Sequence, residues 1–173
     1  MARIAYPDTE ADPGLAPLIA QIKAERGGKL LNLYRMLLHS PPLAAGWLHF
    51  FTVVRQQLDL PGRDRELAIL RVAVLNGADY EFAQHVPFAL REGCTAAQIE
   101  AVRTDPASSL FGPRERAVLD YTDAMTRDIQ VPDAIAAAVR AEFPEREVVE
   151  LTATIAGYSL VSRFLEAMAI DHE

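Results

Sequence analysis

The sequence predicts an all-α fold, and three features carry that prediction. Apolar residues recur at three- and four-residue spacing, and proline and glycine punctuate the periodic runs where helices start and stop. No stretch shows sustained alternation of apolar and polar positions with β-branched residues between turns. With 173 residues, half of them hydrophobic, the chain is long enough to bury one substantial core, so a single domain over 1–173 is expected.

Residues 1–14 are rich in Pro, Asp and Ala without periodicity and are expected to form an arm on the surface or on a neighbouring subunit. A short helix over Leu15 to Glu25 closes at Arg26-Gly27-Gly28, because glycine tolerates the left-handed conformation that ends helices. Leu30, Leu33, Tyr34, Leu37 and Leu38 share one face of the next. Ser40-Pro41-Pro42 has the form of an N-cap followed by first-turn prolines, opening a helix to about Asp59 with Trp47, Phe50, Phe51 and Val54 as its apolar stripe. Leu60-Pro61-Gly62 then turns the chain into a central helix pair broken at Asn76-Gly77. Pro87, inside the second of the pair, removes the hydrogen bond to Ala83 and is expected to kink the helix beyond His85. Thr95 and Gln98 form a capping box for a helix to Arg103. Gly112-Pro113 opens a helix with Ala117, Val118, Tyr121, Ala124 and Met125 inward. Pro132-Asp133 opens one that ends before Pro144, and the last runs from about Glu145 to Ile170.

The central pair holds the few polar positions where chemistry can sit. From Leu67 to Leu75 every residue is apolar except Arg71, so this helix is expected to be buried, with Glu66 near its start. Glu81 and His85, four apart, share a helical face within hydrogen-bonding reach, so two carboxylates and an imidazole can converge. Each residue also has a plainer reading. An acid in a first helical turn is favoured by the helix dipole, which covers Glu66 and Glu81, and His85 can be a core histidine bonded to Glu81. Arg71, if buried, needs an acid on another helix or subunit; its functional reading is a clamp for a substrate carboxylate. A faint internal echo relates Leu60-Pro61 through Glu66-Leu67 to Phe143-Pro144 through Glu150-Leu151. In that register Leu165 stands opposite Glu81 and Ala169 opposite His85, so the second copy, about 113–170, lacks the site carried by the first, about 40–104. Its small residues Ala153, Ala156, Gly157 and Ser159 suit close helix packing in the core or between subunits.

Composition narrows the function. With 17 basic against 24 acidic residues and a net charge of -7, no basic stripe exists to neutralise phosphates, which argues against a nucleic-acid partner. The start lacks a signal-peptide apolar region, and no stretch approaches the ~18 uncharged apolar residues of a membrane span, so a cytoplasmic protein with no membrane partner is expected. Cys94 is the single cysteine and offers no dithiol chemistry; a small apolar filler at a helix end is its plain reading. His39 and His49 lack metal-ligand spacing, and no metal is indicated.

Glu66 followed by Asn76-Gly77-Ala78-Asp79-Tyr80-Glu81-Phe82-Ala83-Gln84-His85 resembles the carboxymuconolactone decarboxylase and alkyl hydroperoxidase D superfamily, and the likeness extends from about Gly27 to Ile170. In the hydroperoxidase branch a glutamate is followed twelve residues later by Cys-x-x-Cys-x-x-x-His. Laid on this chain, the cysteines fall on Ala78 and Glu81 and the histidine on His85. The decarboxylase branch is similar to Glu-x-x-x-His without cysteines, which Glu81 and His85 fit. The resemblance implies an internally duplicated helical fold and a homo-oligomer, trimer or hexamer, with sites at subunit interfaces.

A peroxidatic cycle needs an attacking and a resolving thiol, and neither Ala78 nor Glu81 supplies one. Cys94 lies nine residues beyond His85, or ~14 Å along a straight helix, which argues against partnership. The expectation is thiol-independent proton transfer, a decarboxylation or isomerisation of a small carboxylated lactone or ring acid, needing no cofactor. His85 would move the proton, Glu81 would orient it, and Glu66 would be a second acid/base or position water. Arg71 and Tyr80 are the candidate substrate-binding residues. The alternatives are a non-catalytic helical oligomer that binds a small ligand, and residual hydroperoxidase activity through Cys94.

Overall fold

The computed structural model describes residues 1–173 and contains nine α-helices, a 3-10 turn at Pro13–Leu15 and no strand. The helices are α1 (Ala16–Glu25), α2 (Asn32–Leu37), α3 (Pro41–Gln56), α4 (Gly62–Asn76), α5 (Asp79–Arg91), α6 (Ala96–Thr104), α7 (Pro113–Arg127), α8 (Asp133–Glu142) and α9 (Glu145–Met168). The all-helical expectation and most of the breaks between helices agree with the structure. Two compact units emerge, one of residues 1–57 with 164–173 and one of residues 58–163.

The first unit gathers α1, α2, α3 and the C-terminal end of the chain. Trp47 packs tilted against Phe51 at 5.2 Å and Phe164 at 5.4 Å between ring centroids. Arg26 is buried, and its Nε donates to the Tyr34 hydroxyl at 2.9 Å while Nη1 donates to Thr52 Oγ1 at 3.1 Å, so the guanidinium leaves water with partners. The N-terminal arm is tied to this chain's own end: the Met1 ammonium pairs with Asp171 at 2.9 Å, and Arg3 N donates to Met168 O at 3.0 Å. Ser40 precedes α3 without a side-chain capping bond, leaving the start to Pro41 and Pro42, whose missing N–H groups need no partner there.

The second unit is built on α4. Leu67, Ile69, Leu70 and Val72 are fully buried, and α5, α6 and α7 pack on the helix. The helix begins at Gly62, a turn earlier than the apolar run, because Pro61 stops the preceding chain and Asp64 supplies the first-turn acid. Asp64 is held by Arg114 Nε at 2.8 Å, and Arg114 also reaches Glu147 at 2.8 Å. Glu150, the counterpart of Glu66 in the internal echo, is buried and accepts from Leu60 N at 2.7 Å, so the second glutamate fastens the entrance to α4.

At the other end Gly77 adopts φ +66°, Ala78 N donates to Ala73 O at 2.9 Å and Gly77 N to Val74 O at 3.2 Å, the paired bonds that close a helix through a left-handed residue. α5 starts two residues later and continues through Pro87 to Arg91. The Thr95–Gln98 capping box forms in full. One expectation is modified: α9 contains a window long and apolar enough by length and composition to cross a membrane, and 56% of that window is buried inside the fold, as in a core helix.

Gly77→Ala is expected to destabilise the chain by about 1 kcal/mol, since nothing lies within 4 Å of an added Cβ and only the left-handed backbone opposes it. Urea unfolding measures the loss.

Candidate functional site

The turn at Gly77 folds α5 back on α4 and brings three buried charges together. Glu66 stands in the second turn of α4, Glu81 is the third residue of α5, and His85 follows one turn later. They are 3%, 5% and 3% exposed, respectively. His85 Nδ1 lies 2.7 Å from Glu66 Oε2 and Nε2 lies 3.2 Å from Glu81 Oε1. A carboxylate accepts and does not donate, so an imidazole that faces one at each nitrogen satisfies both only by carrying both protons. Burial alone would lower the histidine's pKa, but the charge and hydrogen bond of Glu66, then those of Glu81, override it and raise the pKa from 6.5 to about 9. The imidazolium is therefore the neutral-pH form.

Glu66 has a second partner in Arg65, whose Nε lies 3.3 Å from Oε1. Tyr158 of α9 stands edge-on to the His85 ring at 5.0 Å, and Phe88 lies tilted at 5.7 Å, so an aromatic shell surrounds the ion cluster. Sequence reasoning did not single out Tyr158, which lies in a helix marked only by its small residues. Glu66 is the tighter partner, whereas the sequence put Glu81 first; the i,i+4 pair is visible in a string of letters and a contact across a turn is not.

Of the two remaining candidates, Arg71 sits elsewhere. Arg71 gives its guanidinium to Asp123 of α7, with Nε–Oδ1 at 2.5 Å and Nη2–Oδ2 at 2.7 Å, and to Val102 O at 2.8 Å. This is the ion pair with an acid on another helix. Five residues separate Arg71 from Glu66, which places them ~140° apart around α4, so Arg71 points away from the histidine. Tyr80 is buried on α5 beside Glu81. Ala78 is buried, and Glu81 bonds His85 where the hydroperoxidase pattern has a thiol.

Cys94 lies beyond the end of α5. Gly93, at φ +93°, turns the chain, and Cys94 N bonds back to Ala89 O at 2.9 Å. Burial pushes its thiol up to about 11, with Arg63 opposing and the carboxylates of Glu115, Glu66 and Asp64 adding to the rise. Thiolate is scarce there at neutral pH.

Residues 41–124, which contain all three cluster residues, match the model of the carboxymuconolactone decarboxylase family. No curated protein matches in sequence. Among solved structures, an uncharacterized peroxidase-related protein from Ralstonia eutropha, an alkylhydroperoxidase AhpD core, superposes with TM-score 0.85 at 18% identity over 99% of this chain and 92% of the other. The debrominase Bmp8 in complex with 2,3,4-tribromopyrrole gives TM-score 0.82 at 18% identity over 100% of this chain and 94% of its own. A protein of unknown function from Agrobacterium tumefaciens, assigned to antioxidant defence as an AhpD, gives TM-score 0.74 at 24% identity over 79% of this chain and 94% of the other. These likenesses establish the fold.

Two outcomes are expected. Because the His85 pKa is raised in the folded state, its stabilisation is complete below 6.5 and is lost as pH rises through about 9, a difference on the order of 3 kcal/mol. Urea unfolding between pH 6 and 9.5 should show that decline in the intact protein and a flatter profile in His85→Gln. For Cys94, a colorimetric thiol reagent at pH 7 should react slowly with the folded chain and rapidly after denaturation, and Cys94→Ser should leave any peroxide turnover unchanged.

Proposed function

We propose that this chain, which belongs to the carboxymuconolactone decarboxylase and alkyl hydroperoxidase D superfamily, carries out thiol-independent proton transfer. The reaction class is decarboxylation or isomerisation of a small carboxylated lactone or related ring acid. The observation that carries the reading is the imidazolium held at both nitrogens by carboxylates in a buried setting. In a decarboxylation the bond to the carboxylate carbon breaks, carbon dioxide leaves, and the electron pair moves into the conjugated lactone carbonyl as an enolate. A proton must then reach carbon, and the imidazolium is the group charged to give it. The 3.2 Å contact to Glu81 is the looser of the two, so Nε2–H is the proton a substrate can claim while Glu66 keeps Nδ1 in place. Glu66 also stabilises the cation between turnovers, and water returns the proton to the neutral imidazole. The positive ring beside a developing enolate acts as a preorganised electrostatic partner. This chemistry requires no cofactor. Cytoplasmic location and assembly into a trimer or hexamer belong to the same reading.

A second reading rests on the low exposure of all three residues. Sealed from solvent, the same cluster is a structural polar network in a helical protein that binds a small ligand without transforming it. Hydroperoxidase activity through Cys94 has the least support, since the thiol is buried and raised to about 11.

Carbon dioxide release from 4-carboxymuconolactone separates the first two. Turnover by the intact chain, with a loss on the order of 10²-fold or more in His85→Ala, is the expected result. The rate of the intact enzyme should also fall as pH rises through about 9, where the acid form is lost. Equal activity of the two proteins would remove His85 from the chemistry; no turnover by either, with the variant merely less stable, would favour the structural network.

A further inference from the structure

On the far side of α4 from the histidine lies an open cavity of about 530 Å³, lined by Arg71, Val74, Leu75, Arg103, Pro106 and Arg127. Three of its six lining residues are arginines and none is acidic, in a chain whose net charge is -7. Chance would favour the opposite sign.

The three arginines are not equivalent. Arg71, with a side chain 5% exposed, is fixed by the bidentate Asp123 and by Val102 O, so it forms a rigid floor. Arg103 and Arg127 are 40% and 59% exposed and retain donors. Their nearest acids are Asp79 at 3.5 Å and Asp123 at 3.7 Å, both beyond the roughly 3.2 Å of a formed N–H···O bond. Arg103 is nonetheless oriented, since its guanidinium stacks on the Phe82 ring at 3.7 Å. Three cations against two rim carboxylates leave a net positive hollow. Guanidinium forks bind carboxylate and phosphate oxygens in pairs, and the apolar wall of Val74, Leu75 and Pro106 suits a small carbon skeleton.

We infer that this hollow is a binding site for a small oxyanion of at least two negative charges, a phosphate ester or a dicarboxylate, held by Arg103 and Arg127 over Arg71. The site is separate from the histidine cluster and does not depend on its chemistry. Arg71 thus serves an anion as a floor under the two exposed arginines and has no part in clamping a substrate at His85.

Calorimetric titration of the intact chain with inorganic phosphate, and separately with malonate, tests the inference against sodium chloride of equal ionic strength. Saturable binding of at least one probe with Kd near or below about 1 mM is expected, weakened tenfold or more in Arg103→Gln/Arg127→Gln. Arg127→Gln alone, at the most exposed of the three, should show a smaller loss with the far-UV circular dichroism unchanged. Phosphate without malonate points to a phosphate-bearing ligand, and malonate without phosphate to a dicarboxylate. No saturable heat beyond the chloride control, or equal affinity in the variants, would overturn it.

Discussion

A buried imidazolium between two buried carboxylates is the interaction on which the second unit depends. Each of these charges is costly alone, because removal from water penalises an ion by several kcal/mol unless partners replace the lost solvation. Together they are satisfied: Glu66 and Glu81 hold the two ring nitrogens, and Arg65 reaches the second oxygen of Glu66. The arrangement tolerates little displacement. It fixes the register of α5 on α4, and that register is set at Gly77, whose positive φ ends one helix and lets the next start at Asp79. Glu66 lies eleven residues before the glycine and His85 eight after it, comparable distances along two helices that fold back on each other.

How much of this the sequence disclosed follows from the range of each interaction. The Glu81–His85 contact spans one helical turn and was legible as spacing. Helix ends were legible for the same reason, since Pro41, Gly77, Thr95 with Gln98, and Pro113 act on the backbone within a few residues of themselves. Glu66 was assigned to a first turn where the helix dipole would explain it, yet α4 begins at Gly62 and the dipole is spent on Asp64. Its partner is His85, across a turn. Arg71 demanded an acid, but nothing in the string of letters marks Asp123, fifty-two residues on, as that acid. The turn at Gly93, with its positive φ, ends the helical path from His85 before Cys94. Local rules read well; positions set by two helices meeting did not.

Ala78 and Glu81 stand where the hydroperoxidase pattern has thiols, and that difference bears on what the site can do. A cysteine at position 81 would present a nucleophile to the imidazolium, and a thiolate there would be stabilised by it. Glu81 instead takes the histidine's second N–H on a carboxylate, which has no sulfur for a peroxide to oxidise. Cys94 is a poor source of thiolate, because burial raises its pKa and the negative charges of Glu115, Glu66 and Asp64 add to the rise.

α4 separates two electrostatic environments. One face presents Glu66 to the buried His85 ring and to Arg65, so two carboxylates stand against two cations there. About 140° around the same helix, Arg71 anchors a net positive hollow. In the proposed reaction an anionic substrate would meet repulsion from the two carboxylates of the cluster until its charge moved toward the ring. Loss of carbon dioxide would move it: the departing carboxylate would become neutral gas and the charge would reappear on an enolate beside the imidazolium. A histidine raised to about 9 is a weak acid by solution standards. For the proposed proton transfer its value would lie in remaining charged until the enolate forms, since an imidazole of ordinary pKa would be mostly neutral at pH 7.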